Sequence, residues 1–287
     1  MSELRTIRVL AAFALRESLR RRVFAVVAIL TVIFLALYGL GVWQAYQEID
    51  PRELDEAGVE LEVVAGATLL GLAMFGTLFL GTILGVFLTL GAVRGDAERG
   101  LLQPVLVRPV ARRTLLLGRF AAAASVCAVY VIVVFVIAAA LTYLASGWWP
   151  DRIVEPALGL AAAGAILAAI ALAGSVVLAS TALGLAVFMI FGAGLVAGLL
   201  GQIGEALGSD TLDTVADVAS WALPFEALYQ DALAALTADT IGFTRLAISL
   251  GPFGGAQSAG FVLWPYAVVY LAAIGALATW AFSRRDL

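Results

Sequence analysis

The sequence predicts an all-α polytopic membrane protein on three observations. The 287-residue chain is 63% hydrophobic and only 13% charged, with a mean hydropathy of +1.03, whereas soluble globular chains lie near roughly 45–50% apolar and about 25% charged. Six apolar runs are each long enough to cross a hydrocarbon core of roughly 30 Å as a helix rising about 1.5 Å per residue. The polar stretches beside these runs alternate in charge, basic then acidic. The expected architecture is six transmembrane helices, an N-terminal interfacial amphipathic helix, and short extracytoplasmic helices between spans five and six.

Residues 1–22 carry Arg5, Arg8, Arg16, Arg20, Arg21 and Arg22. Leu4, Ile7, Ala11, Ala14 and Leu15 share one helical stripe with arginines opposite, the pattern of a helix lying in the membrane interface. Span one follows at 23–46, closed by Trp43 and Tyr46 in the manner of an interfacial aromatic belt. The next segment is acidic, from Glu48 to Glu62 with Arg52 as its one base. Span two, 63–93, exceeds one crossing and must be tilted, broken or partly outside the membrane. It carries Gly81 and Gly85 at the spacing that lets helices approach closely.

The basic loop 94–114 leads to span three, 115–145, whose far end is marked by Trp148 and Trp149. Spans four and five, 157–179 and 182–201, are separated by little more than Ser180 and Thr181, and span five offers a second small-residue pair, Gly194 and Gly198. Within the acidic segment 202–260, Leu212, Val215, Ala219, Leu223, Leu228, Ala232 and Leu236 recur at roughly helical spacing. They predict amphipathic helices on the outer surface, broken at Pro224. Span six runs over 264–282 before Arg284 and Arg285.

With both termini inside, fourteen of the seventeen arginines fall on the cytoplasmic side and sixteen of the twenty-one acids fall outside. The positive-inside rule selects this orientation over its inverse. No ionisable residue falls in the middle of a span, which argues against an ion-coupled carrier. The chain has no lysine and no histidine. A Walker-A lysine, a His-ligated metal and a His-based nucleophile pair are therefore excluded. The single cysteine, Cys127, reads as a small buried hydrophobe.

The central loop and the start of span three carry Glu98, Gly100, Leu102, Leu106, Arg108, Pro109, Arg112, Leu115, Gly118 and Arg119. In that order they resemble the cytoplasmic loop of the type-2 permeases of ATP-binding cassette (ABC) transporters. Leu101 stands where that pattern has threonine and Arg119 where it has lysine, and no basic residue lies between spans four and five. The resemblance implies a single permease domain over 1–287 with no ATPase of its own, working with a separate ABC ATP-binding subunit that holds ATP and magnesium. It implies two permease copies, a homodimer or pseudo-dimer, in the cytoplasmic membrane of a prokaryotic cell, with no role for nucleic acid. A short helix in the loop would then dock in a cleft of the ATPase.

The residues suit that task. Leu102, Val105 and Leu106 form an apolar face, while Asp96, Glu98, Arg99, Arg108 and Arg112 can pair with charges at its rim, with Gly100 between them. A simple anchor to lipid phosphates accounts for Arg112, Arg113 and Arg119 but leaves the Gly, Pro and acidic positions unexplained. Export of a solute and mechanical work on lipid or lipoprotein both fit this sequence. An intramembrane enzyme has only hydroxyls to work with, Thr68, Thr77, Thr82, Thr89, Ser125, Tyr130 and Ser175, and such groups more often bond a helix carbonyl.

Overall fold

The computed structural model describes residues 22–48, 61–90, 112–241, 244 and 260–284. Eight helices of three turns or more lie among them: α1 Arg22–Glu48, α2 Leu61–Thr89, α3 Arg112–Ser146, α4 Val154–Val177, α5 Ser180–Leu207, α6 Asp210–Ala222, α7 Pro224–Ala235 and α8 Leu263–Ser283. All but α6 and α7 are long and apolar enough to span a membrane. The all-α, six-span class expected from composition is the one observed. The expected interfacial helix over 1–22 lies outside the described residues, save for Arg22 at the start of α1.

Burial separates central from peripheral spans. In α2 and α4, 67% of the most apolar window is buried, against 17% in α1 and α8. The centre is built from small residues. Gly81 of α2 lies against Val131 and Gly85 against Cys127, so the small pair read from sequence admits α3. Trp148, just past α3, covers Gly66 near the start of α2, so α2 runs antiparallel to the later two-thirds of α3.

α1 buries a single stripe, Val27, Thr31, Tyr38 and Val42. Two hydroxyl pairs, one buried and one part-buried, fasten it to α3. Thr31 gives its proton to the Val27 carbonyl at 2.7 Å, so the Tyr130 hydroxyl must donate to Thr31 at 2.6 Å. Thr142 likewise donates to Ala138, which leaves Tyr38 to donate to Thr142 at 2.6 Å. In hydrocarbon an unpaired hydroxyl is costly, so these bonds fix the register of α1 on α3.

Helix ends follow local chemistry. α3 stops at Gly147, whose φ of +75° is the left-handed conformation glycine adopts without a Cβ clash. Its N–H bonds the Tyr143 carbonyl at 2.8 Å, and the Ser146 hydroxyl accepts the Trp148 N–H at 2.9 Å. Between α4 and α5 the chain reverses in two residues, Leu178 and Ala179, with Gly174 making room for Leu183. No polar residue is needed at so tight a hairpin. That explains why the span boundary left so faint a mark in the sequence.

The segment after α5 departs from expectation. The chain breaks before Pro224, as anticipated, and the proline occupies the first turn of α7, where its missing N–H costs nothing. α6 does leave Val215, Val218 and Trp221 exposed, as a surface helix would. α7 does not lie on the surface. Phe225, Leu228, Tyr229, Ala232, Leu233 and Leu236 are all buried, and they belong to the same core as α2, α3 and α4. Successive buried positions at i, i+3, i+4, i+7 and i+8 give α7 one broad apolar face, which packs on α4 and α5.

Candidate functional site

The bundle has two chemically distinct ends. One holds the end of α2, the start of α3, the α4–α5 hairpin and the end of α8, with Arg112 and Arg284. The other holds Glu48, Glu62, Asp151, Glu155 and helices α6 and α7. These are called the basic and the acidic end below.

Of the predicted docking residues, Asp96, Glu98, Arg99, Gly100, Leu102, Val105, Leu106 and Arg108 lie outside the described residues, and Arg112 is the first residue of α3. What is defined is the frame that holds the loop. On the α2 side the Thr89 hydroxyl, buried, donates to Gly85 and Val86 carbonyls at 2.9 and 3.0 Å, tying the last turn of the helix together. On the α3 side Leu115 and Leu116 pack with Leu172 and Val176 of α4 and Ala278 and Phe282 of α8. Just above this cluster an apolar groove of about 380 Å³ separates Leu117 and Phe120 from Gly275 and Thr279. Both stems of the loop are thus seated in packed helix. Force applied to the loop would reach α2 and α3, and through Gly85 and Cys127 the centre of the bundle.

The span hydroxyls weighed for catalysis are mostly occupied by helix carbonyls: Thr82 on Leu78 at 2.8 Å, Ser125 on Ala121 at 2.5 Å and Ser175 on Leu172 at 2.7 Å. Thr77 is buried with its hydroxyl unpartnered. No base stands beside any of these in the described contacts.

At the acidic end the structure shows a group the sequence reading passed over. Phe225 fills the space beside Gly194 of α5 and stacks on Phe191 at 6.1 Å, and Glu226 occupies the space beside Gly198. The second small-residue pair therefore receives the short helix α7. Tyr229 reaches the Gly71 carbonyl of α2 at 3.3 Å, and Gly159 of α4 lies against Leu228 and Ala232. Since Gly71 is ten residues beyond the start of α2, α7 penetrates about 15 Å below that end.

Glu226 is only 2% exposed. Its Oε1 accepts the Gln230 amide at 2.8 Å, but its Oε2 and the Gln230 Oε1 have no partner. Burial pushes the carboxyl up to about 7, with the Gln230 amide opposing part of that rise. The spans themselves remain clear of mid-helix charge, but an ionisable group reaches the interior on a helix that is not a span. Its signal was present in the sequence as a carboxylate flanked by Phe225, Leu228 and Tyr229, two residues after a proline.

A family model described as ABC-2 family transporter protein matches residues 9–287. No curated protein matches the chain.

Proposed function

The chain belongs to the ABC-2 transporter family as a multi-pass membrane subunit, and on that premise we propose that it is the permease of an ATP-driven exporter. Members of this family work with ATP-binding subunits. In this reading two permease copies sit between two ATPase chains that hold ATP and magnesium, and both termini of each permease face the cytoplasm. Residues Asp96, Glu98, Arg99, Gly100, Leu102, Val105, Leu106, Arg108 and Arg112 form the contact with the ATPase. The observation that carries the reading is the family match over nearly the whole chain, joined to a loop with the acidic, glycine and Arg-Pro positions of such a contact.

The deciding experiment is purification from a membrane that expresses the chain at native level. An ABC ATPase should co-purify, and the exported compound should stimulate its hydrolysis. Recovery of the chain without any ATPase, under conditions that keep other membrane complexes intact, would remove the proposal.

Two expected results follow from sequence chemistry. The isolated polypeptide should neither bind nor hydrolyse ATP, because it has no lysine to reach the phosphates. Saturable ATP binding measured by equilibrium dialysis on the purified chain would contradict this. In intact cells, with Cys127 replaced by alanine, Glu56→Cys and Asp217→Cys should react with an impermeant thiol reagent, and Arg99→Cys only after the membrane is opened. Labelling of Arg99→Cys from outside would invert the orientation.

A further inference from the structure

We propose that Glu226 is a proton-binding site whose occupancy decides whether α7 stays seated among the spans. The geometry carries the inference. The carboxyl is 2% exposed, seated beside Gly198, and one of its oxygens has no partner in the structure. Among the described residues, the side chain bonded to it is the neutral Gln230. Two acceptor oxygens, Glu226 Oε2 and Gln230 Oε1, lack a donor, and a proton on the carboxyl supplies one.

Among the described residues the neighbours offer nothing to offset a negative charge. Gly198 of α5, Gly159 of α4 and the Gly71 carbonyl of α2 are among the points at which the surrounding helices meet α7. Among the described residues, the titratable groups nearby are Tyr229 on α7 itself, and Tyr266 and Tyr270 on α8, which donate to the Trp221 and Ala222 carbonyls. Asp231 is five positions along α7 and so projects from a different side. None of these carries a positive charge. An unpaired carboxylate held here would be strongly disfavoured, and it can recover hydration only if α7 moves towards the acidic end.

The sign follows from the shift. A carboxyl raised from its ordinary 4.5 to about 7 binds its proton more tightly in the folded chain. The seated form is therefore favoured in acid, and loses that support as pH rises from about 4.5 through 7. Any step that opens the acidic end would release this proton, and closing would take one up.

The test uses the purified full-length chain in lipid bilayers. Infrared difference spectra between acid and alkaline buffer should contain the C=O band of a protonated carboxylic acid that titrates near neutrality, and Glu226→Gln should remove it. In a Cys127→Ala background, Ala232→Cys should be labelled by a maleimide several-fold faster at alkaline than at acid pH, relative to the exposed reference Asp217→Cys. Adding Glu226→Gln should abolish that rise. A parent spectrum without the band, or a labelling ratio that ignores pH or ignores Glu226→Gln, would overturn the proposal. Replacing sodium and potassium by a bulky organic cation should leave the titration unchanged; dependence on the alkali cation would make this a metal-ion site and defeat the proton assignment. Should Glu226→Gln fail to accumulate, Glu226→Asp must keep the band with a displaced midpoint, and an unmoved midpoint counts against the site. The outcome is independent of whether the chain proves to be an exporter.

Discussion

Phe225→Ala is expected to lower the stability of the folded bundle by about 3 kcal/mol, the lower part of the range for emptying a fully enclosed aromatic site. The ring is completely buried, stacks on Phe191 with an interplanar angle of 13°, and lies 2.5 Å from where a Cβ on Gly194 would stand. Lipid replaces water as the solvent around the spans, so much of this effect is lost packing and less of it is transfer from water. Phe225→Leu should cost less, since it keeps most of the volume. Gly194→Ala alone should also destabilise, because its methyl meets the ring. The double variant should fare better than the sum of the two, because removing the ring leaves space for the methyl. Denaturant unfolding of the four proteins in one detergent decides it. Strict additivity, or a Phe225→Ala effect under about 1 kcal/mol, would mean that α7 is not held in this socket.

The other large effect concerns coupling. If Glu98 and Arg108 pair with charges on an ATPase, truncating either should cost roughly 2–5 kcal/mol of binding or coupling when the pair is enclosed. That is a factor of about 30 or more in an equilibrium constant. Substitution of an exposed loop charge changes folding stability by no more than about 0.5 kcal/mol. Glu98→Ala and Arg108→Ala should therefore insert normally, recover less ATPase and lose stimulated hydrolysis. Arg113→Ala, explained by a lipid phosphate alone, should be much milder. Pull-down and ATPase rate in one membrane preparation compare the three. Parental behaviour of all three, with insertion intact, would reduce the loop to an anchor.

The sequence was legible wherever one property dominated. Continuous apolar runs gave spans within a few residues of the helices: 23–46 against Arg22–Glu48, and 264–282 against Leu263–Ser283. Span two was expected to 93 but its helix stops at Thr89, and Leu90 forms the turn that follows. Less was legible where two solutions satisfy the same pattern. A short amphipathic helix in an acidic segment can lie on a membrane surface or fill a gap between spans, and periodicity alone does not choose. What chose for α7 was the shape of α5, where Gly194 and Gly198 leave room for a benzyl and a carboxyl group. The same spacing in α2 was met by Val131 and Cys127 of a true span. A small-residue pair specifies close approach without naming the visitor. The loop that carries the functional reading was legible by likeness to a family, and its residues 94–111 lie outside the described structure.

The seat of α7 also sets the order in which the molecule can be made. Its twelve residues rise about 18 Å, too little to be laid down as a crossing while the chain is threaded into the bilayer. α7 must first be released at the acidic end and then fold back, and until it does α5 carries an open furrow along Gly194 and Gly198. α8 arrives last. Its Tyr266 and Tyr270 hydroxyls take up the Trp221 and Ala222 carbonyls at the close of α6, groups that the end of a helix leaves without partners. α8 therefore acts as a clasp on a part already in place, and a nascent chain halted before residue 263 would present an unfastened joint to whatever proteases survey the membrane.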